Sequence, residues 1–295
     1  MMDNAEKLLV ITGPTASGKS ARALNEAMAR NGEIVSIDSM QLYRELPIGT
    51  AQPTETEKAA VPHHLVGILD LHQRCDVTTF CALADEAIKK IRSKGKLPIL
   101  CGGTGFYLRA LICGMDELPA DREMRAQLDA EFDRDDAEAE LHRKAAEIDP
   151  EALEKFRNCR RKLIRALEVK LISGKSIMEL QQGFAAKPRY DAEVWLISPE
   201  RELLKEKIRL RVDKMLKAGW IEEAESAIAK GLFSTPTAHQ ALGYRIIGDY
   251  LSGKISRSKL PELLATATWQ YARRQLTWFR HQPPTPTLFL NGKRK

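Results

Sequence analysis

Gly13-Pro14-Thr15-Ala16-Ser17-Gly18-Lys19-Ser20 matches the pattern G-x-x-x-x-G-K-[ST] at every position. The apolar run 8–11 before it is typical of a buried parallel strand, and the run 21–28 after it is rich in helix formers. In this setting glycines let the backbone wrap around a phosphate, and N–H groups at the helix N-terminus face the anion. The stretch therefore predicts an α/β fold of the P-loop NTPase type, a parallel sheet flanked by helices.

Two side chains at the end of this stretch add to the phosphate chemistry. Lys19 supplies a mobile positive charge, and the Ser20 hydroxyl can bind a magnesium ion that the phosphates share. The loop alone does not specify which phosphate compound it binds, and a nucleotide is the ordinary occupant of such a motif.

The composition bounds the class of protein. A chain of 295 residues that is 43% hydrophobic can form one or two domains, and five cysteines without a C-x-x-C pair argue against a disulfide framework or a structural zinc site. Apolar runs of about 18 residues are absent and the segment 1–7 is polar, so we expect a cytoplasmic protein without a membrane span or signal peptide. The net charge of +6 permits a nucleic-acid partner without requiring one.

Two further turns follow predicted strands. Residues 33–37 predict a strand that ends at Asp38 and Ser39, and residues 96–101 predict a strand that runs into Gly102-Gly103-Thr104-Gly105. Because ligands collect at the carboxyl ends of parallel strands, we expect Asp38, Ser39 and Thr104 near the phosphate loop. From its position alone, Asp38 could bind magnesium through water, act as a general base or cap a helix.

The pattern changes between residues 116 and 190, where strand signals disappear and charged helical sequence takes over. An acidic part precedes a basic part that includes Arg160, Arg161 and Arg165. We therefore divide the chain into a P-loop catalytic core, 1–115 and 191–295, and an inserted all-helical domain, 116–190. Charged faces of this kind are solvated surface or contact a polyanion.

The C-terminal part returns to the core. Residues 192–198 predict a strand, 201–218 predict a helix that carries Arg211, and 239–245 offer polar, aromatic and cationic groups suited to binding an unstacked base. The last helix has apolar residues at helical spacing, whereas a polar set falls on other faces and is expected to meet RNA. This polar set is Gln270, Arg273, Arg274 and Thr277.

Together the motifs resemble one family, the tRNA dimethylallyltransferases or isopentenyl-tRNA transferases, of the bacterial type. The resemblance spans nearly the whole chain in the right order. Besides the loop 13–20, it rests on DSMQLYR (38–44), IGTA (48–51), PHHL (62–65), GGTGFYLRAL (102–111), RALEV (165–169), LGYR (242–245) and YARRQLTWFR (271–280).

The resemblance implies transfer of a dimethylallyl group from dimethylallyl diphosphate to the exocyclic N6 amine of the adenosine 3′-adjacent to the anticodon in tRNA, with release of pyrophosphate. Mg²⁺ is the implied cofactor, with Ser20 at the metal. Asp38 is then the base that accepts the amine proton, and Thr104 and Arg211 are further catalytic residues. The residues implied to bind the diphosphate are Gly13, Thr15, Ala16, Ser17, Gly18, Lys19 and Ser20.

The same resemblance implies that the protein acts as a monomer and that the insertion clasps the anticodon stem through phosphate contacts, which position the RNA. Two positions depart from the family pattern: Cys159, where an acidic residue is common, and Trp269, where arginine is common. The residues implied to contact tRNA are Asp38, Ser39, Met40, Gln41, Thr104, Arg125, Arg160, Arg161, Arg165, Gln240, Tyr244, Arg245, Arg273, Arg274 and Gln275.

Two other functions suit parts of the pattern. A P-loop with an aspartate at the end of the second strand also fits a small-molecule or nucleotide kinase. An RNA-binding protein that uses a nucleotide as a switch fits the loop and the basic segments. A kinase function would give the basic insertion no role, and a nucleotide-switch function would give Asp38 no role.

Overall fold

The computed structural model describes residues 7–116, 118–134, 136–180, 188–282, 288–290 and 293–294, the last two segments as backbone only. The chain divides into a first unit, Met1–Cys113 with Pro188–Lys295, and a second unit, Gly114–Lys187. Within the described ranges, no helix is both long enough and apolar enough to cross a membrane.

The first unit is built on a seven-stranded sheet in the order β3-β2-β4-β1-β5-β6-β7. All neighbouring strands are parallel except β6 and β7, which are antiparallel. The strands are β1 (Leu8–Thr12), β2 (Gly32–Ser36), β3 (His63–His64), β4 (Leu97–Gly102), β5 (Ala192–Leu196), β6 (Leu288–Leu290) and β7 (Lys293–Arg294).

Thirteen α-helices accompany these strands in the described part of the chain. Those of the first unit are α1 (Lys19–Ala29), α2 (Glu55–Ala60), α3 (Val77–Ser93), α4 (Gly105–Cys113), α10 (Arg201–Lys217), α11 (Trp220–Ala229), α12 (Tyr244–Leu251) and α13 (Leu260–His281). Those of the second unit are α5 (Arg122–Phe132), α6 (Glu138–Ile148), α7 (Pro150–Phe156), α8 (Arg160–Ser173) and α9 (Ile177–Leu180).

The central strands bury both faces, which explains their apolar sequence. Every residue of β1 and of β2 is buried, as is usual for parallel strands covered by helices on both sides. The register pairs Thr12 with Gly102 on one side and with Leu196 on the other, and pairs Ser36 with Cys101. The carboxyl ends of β1, β2, β4 and β5 therefore meet at one edge of the sheet.

Local sequence signals account for several helix boundaries. The α3 helix begins after Asp76, whose carboxylate accepts the Thr79 N–H at 2.9 Å. The α2 helix begins with a capping box, in which Thr54 and Glu57 exchange side-chain and backbone hydrogen bonds. Apolar residues at helical spacing then bury one face of α3, namely Phe80, Ala84, Ala87, Ile88 and Ile91.

The second unit has a core of its own. Buried side chains from α5, α6, α7 and α8 form this apolar cluster, including Phe132, Leu141, Ala152 and Leu167. Asp149 caps α7, which has Pro150 in its first turn, and its other oxygen accepts the Ser176 hydroxyl at 2.8 Å.

A buried carboxylate, Glu33, lies near the amino end of β2, away from the edge where the strand ends meet. Its side chain is 1% exposed and accepts from His64 Nε2 at 2.7 Å, Lys94 Nζ at 3.0 Å and Lys96 Nζ at 3.0 Å. Burial alone would raise the pKa of Glu33, but the hydrogen bonds from His64, Lys96 and Lys94 outweigh it and lower the pKa to about 2. Ionised Glu33 therefore stabilises the fold.

This lowered pKa gives stability a defined pH dependence. The contribution of Glu33 is fully present above the ordinary carboxyl pKa of 4.5 and is lost as the pH falls toward about 2. We expect Glu33→Gln to lower the free energy of unfolding at pH 7 by on the order of 2 kcal/mol, because the neighbouring cations lose their partner. Urea unfolding measures this free energy.

The difference between the two proteins should shrink between pH 5 and pH 3, a range that follows from the lowered pKa of Glu33. Glu55→Gln is the matched control, since Glu55 is 90% exposed and its pair with Lys58 contributes little. A constant difference down to pH 3 would show that the charge of Glu33 is not responsible.

Candidate active site

The loop between β1 and α1 has the backbone of an anion cradle. Gly13 has φ 153°, and a Cβ there would lie 2.4 Å from the Ile197 carbonyl oxygen, so only glycine fits. Gly18 precedes α1 with φ 93°, and α1 has neither a side-chain cap nor an acidic residue in its first turn. The N–H groups of that turn are thus left for an external anion.

The Ser17 hydroxyl is directed into the protein without a partner. This oxygen is buried and has no hydrogen bond with any described residue. A buried hydroxyl without a partner is costly, and a phosphate oxygen would satisfy it.

Two cations face this loop. Lys19 Nζ donates to the Pro14 carbonyl at 3.2 Å. Burial lowers the pKa of Lys19, and the nearby Arg211 cation from α10 also lowers it, while Cys101 and Asp38 act in the opposite direction. Burial likewise lowers the pKa of Arg211, against the charge of Asp38. The structure therefore brings Lys19, Arg211 and Asp38 together at one place, where an anion would relieve the repulsion between the cations.

Asp38 follows β2 at the same edge of the sheet. Its Oδ1 accepts the Met40 N–H at 3.0 Å, and the structure gives no hydrogen bond to Oδ2 from a described residue. The segment after Asp38 forms a turn, and no α-helix starts there, so Asp38 caps that turn through one oxygen only. Oδ2 is therefore available to a ligand.

Thr104 lies beside Asp38. Its N–H donates to the Ile37 carbonyl at 3.2 Å, and its Oγ1 accepts the Ser39 N–H at 3.3 Å. These two contacts join the turn after β4 to the turn after β2. The strand positions that predicted proximity of Asp38, Ser39 and Thr104 thus correspond to direct contacts in the structure.

Tyr271 of α13 is a site residue that the sequence reasoning missed. Burial together with the charge of Asp38 raises the pKa of its hydroxyl, while the Arg274 cation and the nearby Thr104 hydroxyl act in the opposite direction. Tyr271 therefore stays neutral and presents an O–H beside Asp38. Tyr271 lies about one helical turn before Gln275, so the two side chains share a face of α13. This spacing is the sequence feature that could have placed Tyr271 at the site.

Gln275, which was predicted to contact tRNA, is turned inward in the structure. The side chain is 7% exposed, its Oε1 accepts the Thr15 N–H at 2.9 Å, and its Nε2 donates to the Gly103 carbonyl at 2.9 Å. The amide is fully used in joining the two glycine-rich turns. Buried residues recur along α13 at helical spacing, and this periodicity marks the inward face: they are Leu260, Leu264, Thr268, Ala272, Gln275 and Phe279.

Tyr244 and Gln41, for which tRNA contacts were also expected, are turned inward as well. Tyr244 is 0% exposed and its hydroxyl donates to Glu223 Oε1 at 2.6 Å, so its ring cannot stack on a base in this conformation. Gln41 Nε2 donates to the Ala51 carbonyl at 2.8 Å, and its Oε1 accepts the Ser36 hydroxyl at 2.7 Å. Both side chains instead fix the segments around the site.

The remaining predicted tRNA contacts of the first unit are accessible. Ser39 and Met40 are half-buried, and the exposed side chains are Gln240, Arg245, Arg273 and Arg274. Along α13 an open groove of about 580 Å³ is lined by Arg273 and Arg274 together with Gln270, Thr277, Trp278, His281 and Gln282. Its size and cationic lining suit a polyanion better than a buried small molecule.

In the second unit, three of the four predicted arginines have acidic partners. Arg125 and Arg165 both pair with buried Glu168, at 3.2 and 2.8 Å, and Arg160 approaches Asp133 at 3.9 Å. Arg161 is exposed. Internal pairing thus gives Arg125 and Arg165 a structural role that the charge pattern did not indicate.

Comparison with known proteins identifies the family. The family model described as IPP transferase matches residues 41–282, and the one described as isopentenyl transferase matches residues 6–62. A tRNA dimethylallyltransferase of Geobacter sulfurreducens is 42% identical over 281 residues, which cover 94% of this chain and 90% of that protein. The chain belongs to the tRNA dimethylallyltransferase family.

Solved structures of related proteins agree with this assignment. A full-length tRNA isopentenylpyrophosphate transferase from Bacillus halodurans is 36% identical with a TM-score of 0.69, covering 97% of this chain and 89% of that one. A eukaryotic dimethylallyltransferase described as acting on tRNA is 27% identical with a TM-score of 0.77, covering 93% of this chain and 70% of that one. The predicted membership of the tRNA dimethylallyltransferase family, and the α/β fold with a parallel sheet and flanking helices, are confirmed.

Gln275 joins the phosphate loop to the turn after β4, and ligand binding can test whether this bridge shapes the loop. Gln275→Leu leaves the Thr15 N–H and the Gly103 carbonyl buried without partners, so the phosphate loop should lose its shape. We expect the affinity for inorganic pyrophosphate with magnesium to fall about 10-fold or more, because each buried group left without a partner costs about 1–3 kcal/mol. Isothermal titration calorimetry measures it.

Gln270→Leu is the matched control, because Gln270 lies on an exposed face of the same helix. It should bind pyrophosphate as the unmodified protein does. Equal affinities for the Gln275 and Gln270 variants would show that the bridge does not shape the loop.

Proposed function

We propose that the protein transfers the dimethylallyl group of dimethylallyl diphosphate to the exocyclic N6 amine of the adenosine 3′-adjacent to the anticodon in tRNA, and releases pyrophosphate. The observation that carries the proposal is the meeting of a phosphate loop, the two half-buried cations Lys19 and Arg211, and Asp38 at one edge of the sheet. Relatives described as tRNA dimethylallyltransferases support the choice of substrates.

The Asp38 carboxylate can assist the adenine amine, which accepts the dimethylallyl group. An adenine amine is a weak nucleophile because its lone pair is delocalised into the ring, so a base that takes its proton assists the attack. Asp38 has Oδ1 anchored by the Met40 N–H, which leaves Oδ2 to accept the proton. The N6–carbon bond forms as the carbon–oxygen bond breaks, and the departing diphosphate oxygen keeps the electron pair of the broken bond.

The cations and the loop act on the leaving group. Negative charge develops on the departing diphosphate, and preorganised donors stabilise such charge most effectively where water is excluded. Lys19, Arg211, the Ser17 hydroxyl and the N–H groups at the start of α1 supply these donors. Thr104, whose Oγ1 accepts the Ser39 N–H, and Tyr271 lie near Asp38 and would border the adenine.

Ser20 is the residue that would hold a magnesium ion, because a hydroxyl oxygen suits this ion and Ser20 lies in the first turn of α1, directly after the phosphate loop. Among the described residues no group of three His, Cys, Asp or Glu side chains could hold a metal. The other ligands would therefore come from the diphosphate and water. When bound, Mg²⁺ neutralises charge on the leaving group.

For tRNA, the exposed Arg273 and Arg274 along the α13 groove are the contacts that the structure favours in the first unit. Phosphate contacts of this type position the RNA and do not read its sequence. The adenosine has to leave the stack of the anticodon loop to reach Asp38, at a cost of about a few kcal/mol. In the second unit, Arg161 is the exposed member of the predicted set.

Transfer is tested with unmodified tRNA, magnesium and dimethylallyl diphosphate labelled in the prenyl group, with γ-labelled ATP in a parallel reaction. We expect the prenyl label in tRNA. Label transfer from ATP without prenyl transfer would instead support the kinase. ATP binding that changes RNA affinity, with no transfer at all, would support the nucleotide switch.

Removing the proposed base is the sharpest test of the mechanism. Asp38→Asn keeps an oxygen for the Met40 N–H but cannot accept the amine proton. We expect single-turnover transfer to fall by ~10²-fold or more while tRNA affinity stays within about two-fold. Single-turnover rates that stay near normal would remove Asp38 from this role.

The metal assignment predicts a change in magnesium requirement. Ser20→Ala removes the hydroxyl without altering the helix start, so a higher magnesium concentration should be needed for half-maximal transfer, by about 10-fold. Ser93→Ala is the control, since the Ser93 hydroxyl binds only the Lys90 carbonyl at the end of α3. An unchanged magnesium requirement would place the ion elsewhere.

A further inference from the structure

The segment that follows Asp38 is held in shape by two glutamine side chains. Gln41 Nε2 donates to the Ala51 and Thr50 carbonyls at 2.8 and 3.2 Å. Gln52 Nε2 donates to the Tyr43 and Gln41 carbonyls at 2.8 and 3.1 Å. These contacts all lie within the segment 38–52, so they give it a defined shape but do not attach it to another helix.

One carboxylate attaches this segment to α11. Glu223 Oε2 accepts the Ile48 N–H at 2.6 Å, and Glu223 Oε1 accepts the Gly49 N–H at 2.8 Å. The Tyr244 hydroxyl donates to the same Oε1 at 2.6 Å. Hydrogen bonds to an ionised acceptor are the stronger ones, and here a single side chain receives three of them.

Gly49 is pressed against two aromatic rings as a result. A Cβ at Gly49 would lie 2.2 Å from Trp220 Nε1 and 2.3 Å from the Tyr244 hydroxyl oxygen. The rings of Trp220 and Tyr244 meet edge to face, with centroids 6.2 Å apart. The backbone at Gly49 thus closes directly on Trp220, and any loosening at Glu223 would open this contact.

Gly49 and Trp220 also line a small cavity of about 30 Å³. Thr15 of the phosphate loop and Arg211 border it, and the rest of its wall is largely apolar, with Gly49, Val212, Met215 and Trp220 among the lining residues. An apolar space that adjoins a phosphate site suits the hydrocarbon part of a diphosphate ester. Its volume is enough for about one or two methyl-sized groups.

We propose that Glu223 is a positioning residue that holds Gly49 in the wall of this cavity and thereby limits the length of the hydrocarbon group that the diphosphate substrate carries. The inference rests on the proposed prenyl transfer and adds the part of the protein that selects the five-carbon donor. A longer chain meets the closed contact between Gly49 and Trp220, whereas the branched end of a dimethylallyl group does not.

The test compares two donors in the same preparation, dimethylallyl diphosphate and the ten-carbon geranyl diphosphate. The ratio of their kcat/KM values does not depend on the fraction of active enzyme, so a general loss of stability leaves it unchanged. For Glu223→Gln, whose amide places an N–H against a loop N–H, we expect the ratio to shift toward geranyl diphosphate by about 10-fold.

Hydrogen exchange of the peptide 45–52 reports the attachment itself, because the Ile48 and Gly49 amides are bound to Glu223. Exchange there should become faster in Glu223→Gln. Tyr244→Phe removes one of the three hydrogen bonds and keeps the ring. It should also speed the exchange of this peptide and shift the donor ratio toward geranyl diphosphate, but both changes should be smaller than in Glu223→Gln. Glu222→Gln is the matched control, since Glu222 is the exposed neighbour on α11.

Faster exchange with an unchanged donor ratio in both variants would overturn the inference, and so would unchanged exchange. Failure of the proposed function looks different: the unmodified protein would then transfer neither prenyl group to tRNA. A purely structural role for Glu223 is excluded if the ratio shifts while the Glu222 variant behaves as the unmodified protein does.

Discussion

The side-chain amide of Gln275 joins the two glycine-rich turns that face each other at the end of the sheet, through the Thr15 N–H and the Gly103 carbonyl. The glycines of the second turn allow close approach of neighbouring groups. A Cβ at Gly103 would lie 2.3 Å from Gln275 Nε2, and one at Gly102 would lie 2.1 Å from the Ile37 carbonyl oxygen. The second turn is therefore shaped for close packing, with no sign of a second phosphate cradle, and it delivers Thr104 to Asp38.

This geometry places several groups where a negative charge is needed. Burial lowers the pKa values of Lys19 and Arg211, which means that the protein holds two cations in surroundings that disfavour their charge. The uncapped start of α1 and the buried Ser17 hydroxyl add donors without acceptors. A diphosphate would satisfy all of them at once, whereas Asp38 alone compensates only part of the positive charge. In the proposed reaction, the same features that would bind a diphosphate would also stabilise it as it leaves.

The sequence was sufficient for the parts of the site that depend on strand order. Parallel strands bring their carboxyl ends to one edge, so Asp38 and Thr104 could be placed beside the phosphate loop without coordinates. Polar side chains that turn inward were harder to predict. Gln41, Tyr244 and Gln275 were expected to contact RNA because the family resemblance implies it, and only their tertiary partners show that their side chains are hydrogen-bonded internally in this structure. Likewise, the arginines of the insertion gave no indication that Glu168 is buried between two of them.

The α13 helix links the two halves of the proposed reaction. Successive residues on a helix point about 100° apart, so neighbours in sequence can serve opposite faces. Tyr271 and Gln275 face the site, where they contact Thr104 and the phosphate loop, while Arg273 and Arg274 face the open groove. RNA bound along that groove would hold the helix whose inner face shapes the diphosphate site. The net charge of the chain does not reveal this arrangement, since many of its basic residues are paired internally. The exposure of each arginine and its position around the helix identify the cations that are available to a polyanion.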